Sequence, residues 1–453
     1  MKAIIPILLG ASLAAAQPRT LKDFGVAGDG KTDDTRAIQQ AVDEGAELRF
    51  PRGRYLITRT IEARVDRTGP FSISGDGATI VMAGPGPALR IVGTHSGTAD
   101  PATFKDGMLD RERAPMIDGL EIVGQHERAD GIRIEGAMQA TLTRLVIRNV
   151  NDGIVLMGRN RNVSISTCHI YNNRGAGILL DQLNLHQINI TGAHVSYNRR
   201  GGIVARNSEI RNIQIAGCDI EANMSPGGPP TANVLFDTRA GSIREGAITG
   251  CTIQHGHDTK DGANIRFLGQ RATNPLEVGN FAIADNALSD VAVNIHLRHA
   301  RGVTIIGNTL WKGYQQNLLV EGSSNIVVGP NNFDRNPDYG APDSADSVMF
   351  TDSSESTISG LHSNGARADA AITLRRCRTI NVNGCTILNS SGMGLLLDDV
   401  NRVRVSGCLI QLDQAKPAPA IRLTGGRENL ISDNLVNAPL DVASGAARVS
   451  GER

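Results

Sequence analysis

The sequence predicts an all-β solenoid with one coil of chain per repeat, and three observations carry that prediction. A strand of the form Gly-Ile-x-Leu recurs at Gly131-Ile132-Arg133-Ile134, Gly153-Ile154-Val155-Leu156, Gly177-Ile178-Leu179-Leu180 and Gly202-Ile203-Val204-Ala205. It continues in looser form at Val234, Ile265, Ile295, Leu318, Val348, Ile372, Leu395 and Ile421, at intervals of 22 to 31 residues. Strands and Gly/Asn turns alternating on that period describe stacked coils; the fixed Leu-x-x-Leu-x-Leu pattern and helical half of a leucine-rich repeat are missing. Second, Cys168, Cys218, Cys251, Cys385 and Cys408 each stand two residues before an isoleucine, and Asn286, Asn308, Asn331 and Asn434 hold the same slot in other coils. In-register parallel coils stack like side chains in this way. Third, 453 residues contain 51 Gly but only one Trp, five Tyr and nine Phe, so thin aliphatic layers must replace the aromatic anchors of conventional cores.

The composition also excludes classes. Glycine without a three-residue period is not collagen, and 40% hydrophobic with 20% charged residues is not a disordered chain. Basic and acidic residues balance at 46 each, giving no basic field for nucleic acid and no cationic block for an anionic membrane.

Taken in order, residues 1–16 read as a secretory signal: a charged tip at Lys2, a short apolar run and a small-residue end before Gln17. The alternative is an apolar N-terminal strand of an intracellular protein; the signal reading implies a secreted or periplasmic product. Residues 17–60 form a cap. A short strand and glycine turn lead to Thr32, Asp33 or Asp34 as helix N-cap, with Ala37, Ile38, Ala41 and Val42 as the apolar helix face. Leu48-Arg49-Phe50-Pro51-Arg52-Gly53-Arg54-Tyr55-Leu56-Ile57 then reads as strand, turn, strand. Residues 61–453 carry the coils. The slotted cysteines read as small buried residues; disulfides or a metal site are the rival readings, and no Cys-x-x-Cys spacing supports metal.

The cap wording, from Asp23-Phe24-Gly25-Val26 through Asp33-Asp34-Thr35 to Phe50-Pro51-Arg52-Gly53-Arg54-Tyr55, resembles that of the pectate-lyase superfamily, which includes polygalacturonase-like enzymes and phage tailspikes. The resemblance implies a right-handed parallel β-helix of about 12–14 coils behind a short cap helix. It carries over no catalytic set. Ala129-Asp130-Gly131 and Asn151-Asp152-Gly153 match the polygalacturonase Asn-Thr-Asp and Asp-Asp pattern only in part, and Gly175-Ala176-Gly177 and Arg200-Gly201-Gly202 lack its His and Arg-Ile-Lys. The calcium-binding acidic cluster and Arg-x-Pro-x-x-Arg stretch of typical pectate lyases are also missing.

Alternation along the Gly-Ile-x-Leu strands sends two rows outward. One contains Arg133, Val155, Leu179, Val204, Leu235, Arg266, His296 and Leu319; the next contains Glu135, Met157, Asp181, Arg206, Asp237, Leu268, Arg298 and Glu321. At about 4.8 Å per coil, Asp181 and Asp237 have backbones roughly 9–10 Å apart, near the ~6.5–9.5 Å carboxyl separation of inverting glycosidases. They are the expected acid/base pair, with Glu221 or the His255, His257 and Asp258 loop as substitutes. A solvated charge ladder with Arg206 between two acids is the bland reading. Two insertions, 224–231 and 255–262, favour a walled groove instead. Arg206, Arg266, His296, Arg298 and Lys260 are expected to bind sugar, as are Tyr171, Tyr197 and Trp311, whose row precedes the insertions; packing of a turn is the alternative for Trp311.

The function expected from these features is a carbohydrate-active enzyme that cleaves glycosidic bonds in a polysaccharide or oligosaccharide. A polysaccharide lyase or C5-epimerase on a uronate polymer is one alternative, and a non-catalytic, tailspike-like glycan-binding protein the other. No cofactor or metal is expected, with Ca2+ reserved for a lyase; the partner is the glycan, not nucleic acid or membrane, and a homotrimer is the assembly the fold admits.

Overall fold

In the computed structural model, residues 19–98, 100–256, 258–270, 277–340, 343–413 and 418–451 are described. Each coil has three strands, as in Ile203–Arg206, Glu209–Ala216 and Asp219–Glu221. Every strand pairs in parallel with its counterpart in the next coil, giving three long sheets. The first sheet runs through fifteen rungs, from Ile61 and Leu89 through the twelve repeat anchors to Leu440. That is one more than the upper expectation, because Ile61–Arg64 and Leu440–Val442 have no Gly-Ile-x-Leu form.

The cap helix spans Thr35–Asp43 and buries Ile38, Ala41 and Val42. Asp33 Oδ1 accepts the Thr35 N–H at 3.0 Å, while Asp34 turns back to accept from the Ala27 and Gly28 amides at 2.7 and 3.0 Å. One acid therefore holds the helix start and its neighbour fixes the glycine turn.

One continuous aliphatic core runs from Leu21 to Ala446. Phe236, Phe267 and Phe281 form a stack inside it, with ring centroids 5.0 to 5.6 Å apart, so the scarce aromatics are mostly interior. All six cysteines are buried free thiols, which removes the disulfide alternative. Cys218 N–H points at Cys251 Sγ (3.4 Å), and the column continues through Asn286, Asn308 and Asn331 by amide-to-amide bonds of 2.9 Å. A second column was not anticipated: Asn173, Asn198, Asn223, Asn233, Asn264, Asn294 and Asn317 are linked by side-chain bonds of 2.7–3.0 Å. It satisfies buried polar groups where the third strand turns into the next first strand.

That turn positions the functional side chains. Asn172, Tyr197, Ala222 and His255, each just past a third strand, adopt left-handed backbone with φ between 52° and 65°. The amides of Asn172, Tyr197 and Ala222 donate to the third strand of the next coil (Ser196, Glu221 and Gln254 carbonyls), which holds the strained residues. The next residues, Asn173, Asn198 and Asn223, point inward to the ladder, while Tyr197 and His255 are left exposed.

Candidate functional site

The first sheet has the register the sequence implies: Asp181, Arg206, Asp237, Leu268, Arg298 and Glu321 align rung by rung. Its chemistry differs from the expectation. Asp181 accepts from Arg206 at 2.8–2.9 Å and from Asn207 at 2.9 Å. Asp237 is held by Arg239, which folds back from two residues on, at 2.9 and 2.5 Å. Partial burial disfavours the Asp237 anion, but the Arg239 bonds outweigh it and hold the carboxyl below its ordinary range. A carboxyl so stabilised as an anion is a poor proton donor, which leaves Asp237 unsuited to the acid role, and both Asp181 and Asp237 are engaged by arginine. Beside them Val155, Leu179 and Val204 bury an apolar patch with Ala176 outside the main core.

Arg266, expected to bind sugar, is 7% exposed and clamps the protein's own segments. Its guanidinium donates to Thr231 O at 3.3 Å, Asp261 O at 2.7 Å and His296 Nδ1 at 3.0 Å. One side chain thus ties the ends of both insertions to the sheet. Because Nδ1 accepts, the proton sits on His296 Nε2, 2.7 Å from Glu321 Oε2, and that bond draws the Glu321 carboxyl below its usual range. The insertions also pack on each other: a Cβ at Gly256 or Gly262 would meet Met224 at 2.5 and 2.7 Å. Arg266→Lys, which keeps the charge but not the fork, is expected to lower the melting temperature and raise proteolysis within 224–231 and 255–262; limited proteolysis with mass mapping checks this.

The third sheet brings together what the first does not. Tyr171, Ser196, Glu221, Gln254 and Ser289 form one row, and His169, His194, Asp219 and Thr252 the row two residues earlier. Glu221 is the centre. Its Oε1 lies 3.7 Å from His194 Nε2 and its Oε2 3.8 Å from His255 Nε2, while Gln254 Nε2 donates to Oε2 at 3.3 Å. Asp219 Oδ2 is 4.0 Å from His194 Nε2. Partial burial and the neighbouring Glu221 charge push the Asp219 carboxyl above its ordinary range, against the pull of His194 and His255. His169 meets His194 edge-on at 5.7 Å, and Tyr197 stands 55% exposed alongside.

Of the expected site residues, Glu221, His255, Tyr171 and Tyr197 therefore share this edge. Asp258 and Lys260 are exposed at the tip of the second insertion, Arg298 is exposed on the first sheet, and His257 lies outside the described residues, as do residues 1–16, expected to be a leader. His194 and Asp219 were missed, although the alternation that put Glu221 outward puts Asp219 outward too. Among the described residues His194, Asp219 and Glu221 are the one group with metal-ligand atoms mutually within 4.8 Å. An imidazole with two carboxylates does not make the six-to-eight-oxygen shell of Ca2+.

Asp130 and Asp152, the positions of partial polygalacturonase likeness, form a second carboxyl pair. Burial, reinforced by the Asp130 charge, pushes the Asp152 carboxyl up. Its Oδ1 accepts the Ala176 amide at 2.8 Å and Oδ2 accepts from Asn151 at 3.1 Å, while Asp130 accepts from Asn151 and the Asp152 amide and pairs with Arg133 at 3.4 Å. With all four oxygens engaged, this pair staples successive coils.

A family model described as "Right handed beta helix region" matches residues 108–233 and 293–446, more than half of the chain. The chain belongs to the right-handed β-helix family. A second model, "Rhamnogalacturonase A/epimerase, pectate lyase-like", matches residues 19–83, the cap of this β-helix. Among solved structures the β-helix is similar to the bacteriophage phi29 gene product 12, at 13% identity and TM-score 0.58, over 96% of this chain and 66% of that one. It is similar to the bacteriophage CBA120 tailspike protein 3, at 16% identity and TM-score 0.54, over 95% of this chain but only 61% of the tailspike's length. It also resembles the tailspike gp49 of Pseudomonas phage LKA1, at 14% identity and TM-score 0.53, over 95% and 84% of the two chains. At these identities the likeness is one of fold. No curated protein sequence matches the chain.

Proposed function

We propose that this β-helix acts on glycans and hydrolyses a glycosidic bond at the third-sheet edge, with Asp219 as acid and Glu221 as nucleophile. The observation that carries the reading is the juxtaposition of two carboxyls, one with raised proton affinity, between two histidines and beside exposed Tyr197. Sugars present apolar ring faces and polar edges, which suit an aromatic ring next to acids and imidazoles. One oxygen of each carboxyl lies within 4.8 Å of the other, short of the ~6.5–9.5 Å that an inverting pair needs to hold a water between its carboxyls. In retaining chemistry Glu221 attacks the anomeric carbon as the C–O bond breaks and the Asp219 proton passes to the leaving oxygen. Water then cleaves the glycosyl ester, returning a proton to Asp219. Gln254 and the flanking histidines orient Glu221.

The test is incubation with a panel of polysaccharides. New reducing ends with retained anomeric configuration by NMR are expected. Ultraviolet absorbance of an unsaturated uronide would assign a lyase, and binding without new ends would assign a glycan-binding protein of tailspike type.

A further inference from the structure

The third-sheet edge continues past Glu221 to the single tryptophan. Register runs from Glu221 to Gln254 to Ser289, and Leu288 pairs with Leu310, which sets Trp311 beside Ser289 three rungs from Glu221. At about 4.8 Å per rung, the two lie roughly 14 Å apart along the edge. Trp311 stacks with Tyr339 at 5.7 Å and 27° between planes, and Lys312 Nζ sits 5.1 Å over the Tyr339 ring. Behind these rings is a pocket of about 450 Å³, lined by Trp311, Lys312, Arg335, Ser344, Asp346 and Arg367 among others. That is the lower part of the ~300–1,000 Å³ range for small-ligand sites.

The lining charge is unbalanced. Three cations line it with one carboxyl, and Asp290 behind Lys312 is the second acid in reach, leaving Arg367 without an acidic partner among the described residues. Asp346 is turned into the protein, its side chain 2% exposed and held by Arg335 at 3.2 Å and by the Gly313 amide at 2.9 Å. Burial pushes that carboxyl up, against the pull of Ser344, the Gly313 amide and Arg335. Lys312 also meets Asp290 at 3.2 Å, which fixes its position over the tyrosine. The indole Nε1 of Trp311 is shielded from water and has no hydrogen-bond partner among the described residues.

We infer that the Trp311 pocket is a remote subsite for an acidic sugar residue, a hexuronate, of the same glycan that passes Glu221. This rests on the glycan reading of the edge and extends it to substrate class. The ring face stacks on the aromatic pair while the carboxylate meets Lys312 and Arg367. The spacing of roughly 14 Å corresponds to about three rungs, so the glycan runs along the edge parallel to the helix axis and short fragments cannot engage both places.

Because Trp311 is the only tryptophan, its fluorescence reports on the pocket directly. The full chain is titrated with trimers to hexamers of galacturonate, glucuronate and mannuronate, and with neutral galactose and glucose oligomers of the same lengths. At least one uronide series is expected to give a saturable fluorescence change, with neutral sugars about tenfold weaker or more. Arg367→Ala and Lys312→Met are each expected to weaken it several-fold with circular dichroism unchanged. Silence towards every uronide, equal response to neutral sugars, or indifference to both variants overturns the inference. Glu221→Gln should keep the signal while losing turnover, so failure of catalysis and failure of the subsite read separately.

Discussion

Glu221→Gln is expected to lower glycan turnover by about 10²–10⁴-fold with an unchanged fold, because the amide keeps the Gln254 contact but cannot act as nucleophile. Asp219→Asn should fail differently. A raised Asp219 carboxyl donates its proton only while protonated, so wild-type turnover is predicted to fall as pH rises through a value above the ordinary carboxyl range. On an aryl glycoside whose leaving group needs no proton, Asp219→Asn should recover the first bond cleavage as a burst of aryl release without that alkaline limb. Steady turnover stays slow because Asp219 no longer activates the water that cleaves the glycosyl ester. Initial rates across pH on both substrate types check this. Equal losses on both, with no burst, would make Asp219 a structural charge. Asp181→Asn and Asp237→Asn are expected to leave turnover near wild type, since each removes an arginine-paired ion on another face.

The largest stability effect is expected at Asn264→Leu. The side chain is fully buried; its oxygen accepts from Asn233 at 2.8 Å, and its amide donates to Ser289 O at 2.9 Å and Asn294 Oδ1 at 2.7 Å. Leucine fills the volume but strands three buried polar groups, each costing about 1–3 kcal/mol, for a loss of about 3–9 kcal/mol. Thermal unfolding with hydrogen exchange measures it, and the coils nearest Asn233 and Asn294 should lose protection first because each coil leans on its neighbours. A drop of under about 1 kcal/mol would mean that water enters and replaces the ladder.

The coils were legible because the Gly-Ile-x-Leu anchors repeat in register, and the outward rows followed from alternation alone. The Asn173 to Asn317 column was hidden by a break in spacing. It passes from just past a third strand at Asn223 to the start of the next coil's first strand at Asn233, only ten residues later. The arginine on Asp237 could not be read from the repeat, because Arg239 lies beyond the strand and outside its periodicity and folds back onto the carboxylate. Glu221 was visible as an outward acid before a long insertion, but its histidine partners come from neighbouring coils 27 and 34 residues away in sequence, at His194 and His255. The Trp311 and Tyr339 stack likewise joins residues of adjacent coils whose loop shape no repeat dictates.

The central claim is that the third-sheet edge, not the first-sheet face, handles the glycan. The most direct measurement is a crystal structure of Glu221→Gln with an oligosaccharide that the wild type cleaves. The predicted result is a sugar beside Tyr197 and His255, its glycosidic oxygen within hydrogen-bond reach of Asp219 and its far end directed at Trp311. Sugar density over Asp181, Arg206 and Asp237, with the third-sheet edge empty, would contradict it.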